Sequence, residues 1–170
     1  MPPAAIFNLQ LAMGYVPWLL CFSAYGWPRL RAMAPLDAQR AIAALHAFRF
    51  FGLVFILPGV VGPSLPPTFA VWAAWGDFAA GLLAIAAMMA VRVRPLFWAL
   101  VVAFNVTGLL DILIDYYNGV RLGLPALSGQ LAATYVIPII YVPILTVTHV
   151  AAFMLLARAA PKAAASVARA

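Results

Sequence analysis

The chain has 170 residues, of which 67% are hydrophobic and 8% charged, with a mean hydropathy of +1.06. A soluble domain carries about 45 to 50% apolar and about 25% charged residues, so this composition excludes a soluble catalytic module and describes an integral membrane protein. The formal net charge of +6 sits on residues scattered between hydrophobic segments, without the basic patch and exposed aromatics that nucleic acid requires.

One membrane crossing takes about 20 apolar residues, and apolar runs broken by Pro, Gly and charge give five spans: about 6–27, 41–61, 69–91, 96–117 and 131–156. The expected fold is an all-α integral membrane bundle of five transmembrane helices forming one domain over 1–158. A short basic, Ala-rich cytoplasmic tail follows over 159–170, with affinity for anionic headgroups. Cys21 is the only cysteine and lies in the first apolar segment. It permits no intramolecular disulfide or CxxC pair and reads as a small buried hydrophobe.

The connection after the first span holds Arg29, Arg31 and Arg40. The third connection holds Arg92 and Arg94, and the tail holds Arg158, Lys162 and Arg169. The loop 62–68 has no basic residue and the loop 119–130 has only Arg121. The positive-inside rule then puts the N-terminus outside and the C-terminus in the cytoplasm. Trp72 and Trp75, Tyr116 and Tyr117, and Trp98 fall where this topology puts the membrane interfaces. Pro35, Leu36 and Asp37 read as a helix start with Asp37 as N-cap, so the second helix begins before its apolar part.

A charge in the hydrocarbon core costs about 2.5 to 3.5 kcal/mol on insertion scales and so faces a partner, a cavity or a substrate. Arg49 and Asp77 are two such charges. At 1.5 Å rise per residue, His46 and Arg49 lie roughly 7 to 12 Å from the cytoplasmic entry of the second span and Asp77 about 12 Å from the outer entry of the third. An extended Arg49 side chain reaches Asp77, and an ion pair between them is the first expectation. It reads either as a proton- or ligand-coupled site or as a device that fixes helix register.

In the fourth span Thr107, Asp111 and Asp115 share a face at i, i+4, i+8, flanked by Asn105 and Gly108. Asp115 falls at the outer interface and Asp111 one turn deeper. Asp111 can meet Asp77, where two carboxylates share a proton or bind a cation, or each can be hydrogen-bonded separately. In the fifth span Thr146 and His149 share a face, with His149 about 24 Å from the outer entry, at a depth matching His46. Two histidines at one depth suit a bis-His haem or a metal, or else two hydrogen-bonded interface histidines.

Gly76, Ala80 and Ala84 form a small-xxx-small ladder on the third helix, with Gly81 and Ala87 beside it, so another helix can approach near Asp77. Pro17, Pro58, Pro138 and Pro143 interrupt the first, second and fifth spans, each freeing a carbonyl that needs a partner. No HExxH, Gly-rich phosphate loop or GxSxG is present. An enzyme has little to stand on.

Arg49 with Gly52, then Leu65, Pro66, Phe69 and Ala70, then Gly76, Asp77 and Gly81, then Asn105, Gly108 and Asp111 resemble a pattern in small bacterial multipass proteins without an assigned function. The chain is also distantly similar to the four-helix DoxX-like membrane proteins. The resemblance implies a bacterial inner-membrane protein and carries no activity with it.

The function expected from the residues is binding or conduction of a small ion or solute through a polar intramembrane site at Arg49, Asp77, Asp111, Asn105 and Thr107, with protons coupled through Asp77. Its partners are the lipid bilayer and, as a homo-oligomer or with partner membrane helices, other bundles; nucleic acid is not among them. The alternatives are a structural or assembly subunit of a membrane complex, and a membrane cytochrome with haem on His46 and His149. No other cofactor is expected.

Overall fold

The computed structural model describes the backbone of residues 1–167 and the side chains of residues 1–158. The headgroup affinity expected of the basic tail 159–170 lies outside the described residues. Among the described residues every element is helical and none is a strand. Five helices are long and apolar enough to cross a membrane: α1 (Pro3–Ala32), α2 (Pro35–Ile56), α3 (Pro67–Arg92), α4 (Arg94–Arg121) and α5 (Ile137–Arg158). The α-helical turns of the last begin at Val142.

Proline sets most of the boundaries. It stands at the first or second position of α2, α3 and α4, where its missing N–H has no intrahelical acceptor to lose. Helix α2 therefore starts at Pro35 with Ala34 as N-cap and no side-chain cap. Asp37 lies in its first turn rather than at the cap, because proline has already fixed the entry. The far end of α2 stops at Ile56, short of the expected residue 61. Leu57 precedes Pro58 and is extended, with φ −76° and ψ 124°, as the clash with the proline ring demands.

Pro17 sits inside a continuous α-helix, whereas the other interior prolines of α1 and α5 lie at or next to two π-helical turns. Phe22–Gly26 lies just before Pro28 in α1, and Ile137–Tyr141 contains Pro138 and precedes Pro143 in α5. Widening the helix there accommodates the lost N–H donors. The Trp18 indole donates to the Ile140 carbonyl at 2.8 Å, and Gly14 packs where any Cβ would overlap the Ile139 carbonyl. The last span begins at Ile137 rather than 131, because Ala132 takes φ 45° and ψ −123° and breaks the preceding 3-10 segment Ser128–Tyr135.

Short connections at Met33–Ala34 and Val93 lie at one end of the bundle and longer loops, 57–66 and 122–136, at the other. The loops are tied by Gly62 N–H donating to the Gln130 carbonyl at 2.7 Å and Ser64 N–H donating to its side-chain Oε1 at 3.2 Å. Helices α2, α3, α4 and α5 form the packed core, and α1 lies against α5 and the segment before it. Cys21 is exposed on α1 rather than buried.

Helix α3 packs against α2 and α4 through Ala73, Ala74, Ala80, Gly81, Ala84 and Ala87, all buried. The small-residue ladder is thus filled by this chain's own helices. One apolar cluster, around Phe7, Phe55, Phe69 and Leu131, occupies the long-loop half. A second, around Ile42, Phe97, Phe104 and Ala152, occupies the tight-turn half. The polar groups lie between them.

Candidate functional site

The second half of α2, Ala47–Ile56, is a ten-residue 3-10 helix. With three residues per turn, His46, Arg49, Gly52 and Phe55 stack on one face, and all four are buried. That face meets α3 at Asp77. Gly52 is required there, because a Cβ would overlap the Asp77 carboxylate. Gly76 likewise leaves space that Asp111 from α4 fills.

Arg49 is 1% exposed and lies at the centre of the bundle. Its Nε donates to Asp77 Oδ1 at 2.7 Å and its Nη2 donates to Asp111 Oδ2. Nη1 donates to the Gly108 carbonyl at 3.0 Å and to His149 Nε2 at 3.2 Å. Three helices are joined to α2 through one guanidinium, whose planar fork offers five donors in fixed directions. The expected pair with Asp77 is present, and Asp111, expected beside Asp77, is held on a separate nitrogen of the same guanidinium.

The tautomers follow from this pattern. His149 Nε2 accepts from Arg49, so its proton is on Nδ1 and is donated to Asn105 Oδ1 at 2.9 Å. Asn105 Nδ2 in turn donates to the Val101 carbonyl at 2.8 Å. Thr148 gives its hydroxyl proton to backbone carbonyls of its own helix, so the 3.0 Å contact with His46 has Nε2–H of His46 donating to Thr148 Oγ1. His46 Nδ1 is then a buried lone pair with no partner among the described residues, as is Oε1 of Gln39 on the same face of α2, seven residues earlier.

His46 and His149 do lie at one depth, but they stack ring on ring, with centroids 4.0 Å apart and planes at 43°. No porphyrin fits between rings so close, and the Nε2 atoms of both are engaged by Thr148 and Arg49. The bis-His haem expectation is corrected on that geometry. Among the described residues no group of three His, Cys, Asp or Glu side chains is placed to hold a metal. Thr107 is half-buried and takes no part in the network.

Beside the cluster lies a cavity of about 90 Å³. Arg49 and Asp77 contribute to one side of it, with Asp115, and Phe7, Phe55, Phe69 and Ile137 to its apolar walls. The sequence places Asp115 at the outer membrane interface as an exposed carboxylate. The residue is half-buried and its Oδ1 is buried without a partner among the described residues, where α1 and the loop after α4 line the cavity at this end of α4. Tyr116 also turns inward, 2.6 Å from the Tyr15 hydroxyl, while Tyr117 stays exposed with Arg121 5.9 Å from its ring centroid.

The match to a family model comes from residues 6–157, which takes in all four helices that supply the cluster. The chain belongs to the DUF8737 family. Its description is a domain of unknown function. No curated protein and no solved structure matches the chain.

Proposed function

We propose that this DUF8737 protein is a multipass protein of a bacterial inner membrane that binds or conducts a small ion or solute at the Arg49, Asp77 and Asp111 site, with proton coupling through Asp77. The observation that carries the proposal is a charge imbalance beside a cavity. One buried guanidinium faces Asp77 and Asp111, and Asp115 adds a third carboxylate at the same cavity. With all three ionised the site is two charges negative, and in a low-dielectric interior that excess is neutralised by a proton or a cation.

The orientation belongs to the same proposal. Arg29, Arg31, Arg40, Arg92, Arg94 and Arg158 gather at the tight-turn end and Arg121 alone at the long-loop end. Arg31 and Arg158 both lie over the Trp27 ring, at 5.9 and 5.3 Å, an arrangement suited to a cytoplasmic interface. The N-terminus and the cavity then face outward. A distant kinship with DoxX-like proteins has no diagnostic motif behind it.

Flux of protons and monovalent cations into liposomes holding the purified chain tests the proposal. Flux that Asp77→Asn abolishes, in a variant that stays folded, supports it. Flux equal to empty liposomes refutes conduction, and flux unchanged in Asp77→Asn refutes the coupling through Asp77.

A second reading has one observation in its favour: every nitrogen of Arg49 is hydrogen-bonded within the chain, as suits an architectural arginine in a structural or assembly subunit. Copurification with a fixed membrane partner, together with a phenotype indifferent to joint neutralisation of Arg49 and Asp77, would favour it.

A further inference from the structure

The cavity has a chemical character that a bare inorganic ion does not use. Its volume of about 90 Å³ is roughly three-fifths of the 150 Å³ apolar cavity that takes benzene, room for about four non-hydrogen atoms. Most of its wall is apolar and aromatic, with Phe7 and Leu11 from α1, Phe55 from α2 and Phe69 from α3. Its ionisable lining groups are Arg49, Asp77, Asp115 and the Tyr116 phenol, with the Asn8 amide beside them; of these only Asp77 and Asp115 carry carboxylates, and Asp77 is paired with Arg49.

Arg49 is committed to Asp77 and Asp111. Among the described residues Asp115 has no such ion pair, and its buried Oδ1 accepts no hydrogen bond. An acceptor left open at the edge of an apolar, aromatic chamber suits a donor that brings both a positive charge and a hydrocarbon body. Pocket walls of this kind hold the apolar part of a ligand while one or two polar groups fix its orientation, and phenyl faces add attraction for a cation.

The geometry points to this cavity as a binding site for a small alkylammonium ion, its N–H donating to Asp115 and its carbon chain lying among Phe7, Leu11, Phe55 and Phe69. The inference rests on the proposed intramembrane site and names the class of solute it takes. An inorganic cation satisfies the carboxylate but leaves the apolar walls unfilled. A neutral alcohol of the same size fills the walls but leaves the charge of Asp115 uncompensated.

Titration calorimetry on the full chain in detergent, with n-propylammonium, 1-propanol and sodium chloride as probes, tests it. The expected result is saturable n-propylammonium binding at about 1 mM or tighter, with 1-propanol at least about tenfold weaker. Asp115→Asn removes the charge from a side chain outside the Arg49 pair and weakens n-propylammonium by about ten- to a hundredfold, the worth of a charged hydrogen bond. Leu11→Trp fills the chamber from the peripheral helix α1 and abolishes binding, with unchanged circular dichroism and elution volume.

Equal affinity for 1-propanol and n-propylammonium, binding of sodium alone, or full affinity in Asp115→Asn would each overturn the inference. If the liposomes carry protons or sodium while n-propylammonium does not bind, the ammonium assignment falls and the intramembrane site stands. If n-propylammonium binds and no flux occurs, the permeation reading falls and the assignment stands.

Discussion

Replacing Arg49 by Met keeps an unbranched side chain of similar length in the centre of the bundle and removes the guanidinium. Asp77 and Asp111 are 5% and 9% exposed, and each loses its hydrogen bond to the arginine. The Gly108 carbonyl and His149 Nε2 lose their donor as well. Breaking a buried ion pair by removing one partner costs about 3 to 5 kcal/mol, because the remaining charge stays desolvated, and R49M is expected in that range. Adding Asp77→Asn and Asp111→Asn to R49M removes the stranded charges and is expected to restore about 1 to 3 kcal/mol, the coupling found between groups of one network. Unfolding in mixed micelles with increasing dodecyl sulfate, followed by far-ultraviolet circular dichroism, reads both effects. R49M as stable as the parent, or a triple variant less stable than R49M, would refute the reasoning.

The close approaches at Gly52 and Gly76 predict that Gly52→Ala and Gly76→Ala each destabilise the bundle by about 1 to 3 kcal/mol through overpacking against Asp77 and Asp111; Gly129→Ala, which meets nothing within 4 Å, is expected to be neutral in the same micelle assay. Asn105→Ala leaves Nδ1–H of His149 buried without its acceptor and is expected to cost about 1 to 3 kcal/mol, with Asn105→Asp retaining more of the stability than Ala; equal stability of parent and alanine variant would contradict the assigned tautomer chain. Titration of the purified protein with haem is expected to give the spectrum of free haem in the same detergent, since the 4.0 Å stacking of His46 and His149 leaves no axial pair; a low-spin bis-His spectrum lost in both His46→Ala and His149→Ala would show that the rings separate to admit it.

Hydropathy located all five helices, because a membrane span announces itself in a run of about 20 apolar residues. It located the charged centre as well, because two ionised side chains in neighbouring spans at compatible depth have few other partners. The ends were less legible. Leu131 is apolar and reads as span, but the break at Ala132 is a backbone conformation that hydropathy does not register. Residues 57–61 are apolar too, and only the steric rule at Pro58 stops the helix before them.

Inside the site, the α-helical period concealed the most. The buried set His46, Arg49, Gly52 and Phe55 recurs every three residues, a spacing that fits the 3-10 turns of Ala47–Ile56. Read at 3.6 residues per turn, those four drift around the helix, and Gly52 looks like an ordinary small residue instead of the seat of Asp77. His149 and Asn105 carried a weaker signal, since nothing in their spacing indicates that both lie in one chain from Arg49. The covering of Asp115 Oδ1 was not legible, because depth along α4 gives a distance from the membrane surface and says nothing of what α1 covers. Thr107 shares a helical face with Asp111 at one turn's spacing, yet the network runs through the neighbouring Gly108 carbonyl instead.

Proton flux into liposomes, driven by an imposed pH gradient and followed with an entrapped pH-sensitive dye, tests the central claim most directly when the parent is compared with Asp77→Asn at matched protein content. Flux above empty liposomes that disappears in a folded Asp77→Asn variant is the expected result; flux absent from the parent, or equal in both proteins, would contradict it.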